Sequence, residues 1–249
     1  MNTTGKGNPD NAVDGSEILT QISTIDAVVA GIYDGVVDFD TLCEYGDFGI
    51  GTFEGLDGEM IGFDGEFYQV RSDGVGYPVS GSMKTPFASV TFFEADSSKQ
   101  LPADMNYEEL RAFLDNCLPM KNMFHAIRID GKFDYMKTRS VPAQEKPYPP
   151  LVEVTEEQPT FEFNNVRGTI AGFRFPDYAA GVNMPGYHLH FINDAEDSGG
   201  HVLDFRIEEA RASIDCTREF YMILPDDDSD FYDVDFSKDR SDEMEKAEK

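Results

Sequence analysis

Three of the four histidines in this 249-residue chain fall within fourteen positions, as His188-Leu189-His190 and His201. Imidazole is both a metal ligand and a proton carrier near neutral pH, so this is the densest chemistry in the sequence. If Tyr187 to Ile192 is extended, its side chains alternate faces, and His188 and His190 point the same way one pleat apart. The segment from Asn193 to Gly200 is rich in turn formers, and the apolar run from His201 to Ile207 reads as a returning strand. That return carries a third imidazole to the first two. Three neutral imidazoles leaving one coordination position open is the arrangement of a catalytic zinc, because the open position takes water or substrate. A non-catalytic module with structural histidines is the other reading of the same residues. The concentration of imidazoles in so histidine-poor a chain favours metal, and the lack of cysteines beside them favours an open site over a closed structural one.

The elements that must hold this cluster read mostly as strand. Thr160 to Ile223 has strand texture, and Ser241 to Lys249 closes the chain in a helical pattern. Upstream, Pro142 to Pro150 suggests a linker, and His125 to Arg139 predicts a hairpin turning on Asp130-Gly131. Tyr107 to Leu118 predicts an amphipathic helix whose apolar stripe is Leu110, Phe113, Leu114 and Cys117. From Gly46 to Phe93, short β-branched or aromatic runs alternate with Gly and Asp, the pattern of strands joined by tight turns. Asp40 to Tyr45 has the look of a helical turn. Ser16 to Ile32 spaces Ile18, Leu19, Ile22, Ile25, Val28 and Val29 by threes and fours, which predicts a helix, or a helix broken near Thr24. The fold class is therefore α/β in the broad sense, α+β and strand-rich. It divides into a disordered start at 1–14, a mixed-sheet domain at 15–150, a metal-binding β-rich domain at 151–236 and a tail at 237–249. A short echo between the halves, Gly51 to Leu56 against Gly168 to Phe173, adds the expectation of a diverged duplication.

Composition bounds what such a site can serve. With 40% hydrophobic residues, 20 Phe and 11 Tyr, the chain can fill a sizeable core. It holds no apolar stretch of about 18 residues, and its first residues do not follow the basic-then-apolar signal-peptide pattern, so the expected location is cytoplasmic. Cys43, Cys117 and Cys216 are widely spaced and are expected to be buried reduced thiols. The net charge is −28, from 48 acidic against 20 basic residues. Nucleic acids and anionic membranes draw protein affinity from Lys and Arg, so neither is expected as a partner, and a small-molecule substrate is. A dense carboxylate surface also suits a protein that works at high ionic strength, where screening is strong.

Beyond the histidines, the segments Gly49 to Met60 (Gly-Ile-Gly-Thr-Phe-Glu-Gly-Leu-Asp-Gly-Glu-Met), Lys137 to Tyr148, Gly168 to Phe173 and Gly186 to His201 together resemble the α-acetolactate decarboxylase family. The likeness runs from about residue 20 to the C-terminus, and the combination is specific where each fragment alone is not. The resemblance implies a zinc (Zn²⁺) enzyme, a carboxy-lyase that converts 2-acetolactate to acetoin and carbon dioxide. It also implies two domains and a sheet extended across a homodimer. By matching position it gives His188, His190 and His201 as metal ligands and Glu59, Arg139 and Thr52 as active-site residues. It further implies a glutamate returning to the site from the C-terminal tail, where Glu243, Glu245 and Glu248 are on offer and Glu248 is favoured by its distance beyond the histidines.

The chemistry agrees with those residue types. Acetolactate carries a hydroxyl and a ketone on adjacent carbons, so one metal can chelate both oxygens and stabilise the enediolate left when CO₂ departs. An arginine fork such as Arg139 positions the carboxylate. Glu59 is suited to return a proton to carbon, with Glu248 as a ligand or second acid. Two other classes compete. A cupin-like non-haem dioxygenase would use His-x-His with Glu196, but would need its last ligand from a separate later motif, and no histidine lies beyond His201. A non-catalytic metal-binding module would use the histidines alone.

Overall fold

Short β-branched and aromatic runs between glycines become strands of two stacked sheets, and the histidine hairpin lies where the sheets meet. The computed structural model describes residues 17–118, 120–156 and 158–247. The segment expected to be disordered, 1–14, lies outside the described residues. In chain order the elements are β1 (Ile18–Ile22), α1 (Ile25–Val29), β2 (Val37–Asp38), α2 (Phe39–Leu42), β3 (Phe48–Thr52), β4 (Glu59–Phe63), β5 (Glu66–Val70), β6 (Gly76–Pro78), β7 (Lys84–Thr85) and β8 (Ala88–Thr91). There follow β9 (Ser97–Gln100), α3 (Tyr107–Cys117), β10 (Phe124–Arg139), α4 (Leu151–Thr155), β11 (Thr160–Phe175), β12 (Gly186–Asn193), β13 (Gly199–Thr217), β14 (Glu219–Ile223) and α5 (Ser241–Ala247).

The first sheet has the order β14-β1-β8-β3-β4-β5-β6. It is mixed, because β1 runs parallel to β14 and antiparallel to β8. The second has the order β10-β11-β12-β13-β9 and is antiparallel, and β10 also pairs with β13, so β10 to β13 close on one another. Sheet membership therefore crosses residue 150 in both directions. β9 and β10 join the strands of the C-terminal half, and β14 returns to the N-terminal sheet. Between the sheets, Phe48, Ile50 and Ile61 pack on Ala126, Ala171 and Phe173. On the far side of the second sheet, Leu110 and Leu114 of α3 cover Phe133, Phe191 and Phe205, whose rings meet edge to face. A capping box starts α3: Asn106 accepts from the Glu109 amide at 2.9 Å, and Glu109 accepts from the Asn106 amide at 3.0 Å.

Several expectations are corrected. Ser16 to Ile32 does not begin as a helix. Ile18 to Ile22 forms a strand between β14 and β8, and only after Ser23 turns the chain at φ 56° does Thr24 cap the short α1. A strand buried on both faces shows no period-two alternation, so its apolar spacing passes for a helical one. Asp130-Gly131 makes no hairpin, because β10 runs unbroken from Phe124 to Arg139 with β11 on one side and β13 on the other. Gly131 has another use there: a Cβ would stand 2.4 Å from Ala210 Cβ and 2.5 Å from the Glu209 carbonyl oxygen. The cysteines are free but not buried; Cys43 is exposed, and Cys117 and Cys216 are half-buried.

Candidate metal centre

Strand alternation places His188 and His190 on one face of β12, and the register pairs His190 with His201 across to β13. The three rings form a nearly equilateral group, with centroids 5.1, 5.1 and 5.3 Å apart. Each offers a ligand atom within 4.8 Å of the others, and all three residues are buried. Glycines make this closeness possible. A Cβ at Gly199 would sit 2.0 Å from the Phe191 carbonyl oxygen, and one at Gly172 would sit 2.1 Å from that of His188. On the third side, the Thr138 hydroxyl donates to the Gly199 carbonyl at 2.7 Å, tying β10 to the turn that carries His201. Arg139 is the register partner of His201.

The first sheet supplies the facing wall. Thr52 at the end of β3 pairs with Glu59 at the start of β4. Its hydroxyl donates to the Gly58 carbonyl at 2.7 Å, which fixes the loop that delivers Glu59. Gly58 takes φ 88°, and a Cβ there would meet the Val70 carbonyl oxygen at 2.3 Å, so no other residue fits this approach. Glu59 is buried, with Oε2 3.5 Å from His190 Nε2. Arg139 is also buried and donates from Nη1 to Gln158 Oε1 at 2.7 Å.

The protonation states suit a cation. Burial first, and the nearby Arg139 charge second, push His188 down to about 3. Burial likewise holds His190 and His201 well below the ordinary range, so all three are neutral imidazoles at neutral pH. His190 Nδ1 lies 2.7 Å from the Met60 carbonyl oxygen, which only accepts, so Nδ1 carries the proton and Nε2 offers a lone pair. Among the described residues, that Nε2 and His188 Nδ1 are buried ring nitrogens with no hydrogen-bond partner. A donor set of buried neutral imidazoles, one of them oriented by a backbone carbonyl and facing a carboxylate oxygen, fits a zinc-type ion.

His188, His201, Glu59, Arg139 and Thr52 line a single pocket, whose remaining walls include Ile25, Val28, Leu56, Phe87 and Leu151. The structure thus brings together every residue expected at the site except Glu248, which lies outside the described residues. Of the other tail glutamates, Glu243 is exposed. Glu196 is exposed in the turn between β12 and β13 and stands apart from the imidazole group, so the cupin ligand set is not assembled. Sequence reasoning missed the Met60 carbonyl, Gln158 and the apolar wall.

Comparison with known proteins gives a consistent result. The alpha-acetolactate decarboxylase family profile matches residues 19–238. An alpha-acetolactate decarboxylase of Methanosarcina mazei is 51% identical over 241 residues, covering 97% of this chain and 83% of that protein. One from Bacillus subtilis is 47% identical over 226 residues, covering 89% and 88%. The crystal structure of alpha-acetolactate decarboxylase from Bacillus subtilis superposes with a TM-score of 0.90 at 44% identity, covering 93% of this chain and 99% of that one.

Proposed function

Because the chain belongs to the alpha-acetolactate decarboxylase family, we propose that its imidazole pocket is the active site and that the reaction, 2-acetolactate to acetoin and CO₂, depends on a metal held by His188, His190 and His201. The observation that carries this reading is the meeting of three buried neutral imidazoles with Glu59, Arg139 and Thr52 in one pocket. Zinc is the ion that best fits three nitrogen donors with a further position open. When bound, such an ion supplies a Lewis acid for the adjacent hydroxyl and ketone oxygens of the substrate.

The chain's own residues do the rest. The Arg139 fork orients the substrate carboxylate by charge-assisted hydrogen bonds, so that the bond to CO₂ stands out of the plane of the ketone. Breaking that bond leaves its electron pair on the substrate as an enediolate, and the apolar wall of Ile25, Val28 and Leu151 keeps water from quenching it at random. Glu59 then gives its proton to the carbon that lost CO₂, and recovers one from solvent before the next turnover. Thr52 acts on Glu59 through the Gly58 carbonyl and is a positioning residue. The tail supports a role for Glu248: Met244 and Ala247 of α5 are buried in the same apolar cluster as Ile25, Val28 and Leu151. A homodimer and a cytoplasmic location complete the proposal.

The deciding experiment measures acetoin formed from racemic acetolactate by the wild-type chain, with and without a chelator, and by His190→Ala. Acetoin should form with the wild type and fall to background in the other two cases. Activity that survives both chelation and His190→Ala would overturn the metal-dependent reading, and no acetoin from the untreated wild type would overturn the reaction itself.

A further inference from the structure

Among the described residues, a second cavity lies apart from the imidazole pocket. A cleft of about 550 Å³ lies between α3, the segment entering β12 and the C-terminal tail, within the size range of small-molecule sites. Tyr107, Met184, Tyr187 and Met244 give it apolar walls. Arg111, Lys238 and Arg240 also line it, against the carboxylates of Asp26 and Asp239, so the lining is net positive in a chain of net charge −28. Two of these charges already have close partners. Arg111 pairs with Glu108 at 3.1 Å, and Asp239 accepts from the Ser241 amide at 3.0 Å and from its hydroxyl at 2.6 Å.

Arg240 differs from its neighbours. It is only 8% exposed, its Nη1 has no hydrogen-bond partner, and among the described residues it forms no ion pair within 4.0 Å. A guanidinium carries its full charge at any working pH, and burying one with a spare donor is costly unless an anion meets it. We propose that this cleft is a second small-molecule site, which takes a monocarboxylate with an apolar body. The carboxylate binds Arg240, and the body lies against Tyr107, Tyr187 and Met184. The selection is for a monoanion, since a second negative charge would face Asp26 and Asp239. The site is separate from the imidazole pocket yet shares a wall with it: Asp26 lines the cleft, while its α1 neighbours Ile25 and Val28 line the other side.

The test follows binding of para-fluorobenzoate to the full chain by fluorine NMR, with para-fluorobenzamide as the neutral probe of the same shape. The acid should bind saturably and the amide about tenfold more weakly or worse, the difference that a charge-assisted hydrogen bond makes. Arg240→Met should weaken the acid by a similar factor. Met184→Trp, which fills the cleft without altering charge, should abolish binding and decides the matter if Arg240→Met does not fold. Arg139→Met should leave binding intact. No saturable binding, equal binding of acid and amide, binding retained in Met184→Trp, or binding lost with Arg139→Met would each overturn the proposal, the last by placing the probe in the imidazole pocket.

Discussion

Glu59 and Asp215 are both buried carboxylates, and their surroundings give them different work. Glu59 faces His190 in the pocket proposed as the active site, so Glu59→Gln should keep the fold and the proposed metal while removing the proposed proton donor. A general acid is worth about 10²- to 10⁴-fold, and kcat for acetoin formation should fall by that order. An unchanged kcat would remove Glu59 from the chemistry. Asp215 lies on β13, away from that pocket. Burial above all pushes its carboxyl up to about 7, with Asp96, Glu17 and Glu94 adding repulsion and a hydrogen bond from the Glu94 amide, at 3.1 Å, pulling the other way. A carboxyl whose folded value is raised contributes stability below its unfolded value, near 3.8, and loses it as pH rises through about 7. Asp215→Asn can keep the Glu94 contact and does not titrate. Its melting temperature relative to wild type should therefore climb between pH 4 and pH 7 and level off above, whereas a constant difference across that window would refute the shift. At this scale the sequence was legible where chemistry is local. The imidazoles were found because alternation and a turn are properties of adjacent residues. Glu59 and Arg139, two charged residues among many, stood out only through resemblance, and the Met60 carbonyl and Gln158 belong to tertiary contacts that no local pattern encodes.

Among the elements, α3 was legible because it is amphipathic and capped, and the β12–β13 hairpin because its turn residues are dense. β1 and β10 depart from the sequence pattern for different reasons. Burial on both faces erased the alternation of β1, and close approach of β13 placed at Gly131 a glycine that mimics a turn. The opposite case is β14, which among the described residues is an edge strand with one neighbour. Phe220, Tyr221 and Met222 on it are 39%, 49% and 37% exposed, an apolar edge of the kind that proteins normally cover. Antiparallel pairing of two such edges would carry the first sheet across a twofold axis, which accords with the proposed homodimer. Tyr221→Lys with Met222→Lys should convert a dimer into a monomer by light scattering on a sizing column, since edge lysines block strand pairing. A dimer that survives both substitutions would place the interface elsewhere.

For the whole molecule, charge decides what no single contact can. Pairs such as Arg128 with Asp64 at 2.7 Å and with Asp130 at 2.9 Å neutralise some carboxylates, but 48 acids against 20 bases leave most of them facing one another across the surface. In dilute buffer the Debye length is about 30 Å, comparable to a domain, so the repulsion sums over the molecule; at 1 M salt it is about 3 Å and only immediate neighbours interact. Unfolding moves the charges apart, so the repulsion weighs against the folded state, and salt should stabilise that state. The melting temperature should therefore rise steeply in KCl as the Debye length falls toward the spacing of surface carboxylates. A pure screening effect must then flatten below molar concentration, while a surface adapted to salt continues to gain beyond it through the ordering of cations and water around its carboxylates. Potassium sulfate at matched ionic strength separates these from the general strengthening of apolar burial, which sulfate promotes more than chloride. Equal curves in the two salts, still rising in the molar range, would assign the acidity to a salt-rich setting. A melting temperature indifferent to KCl would mean that the excess charge lies too far apart on the folded surface to oppose folding.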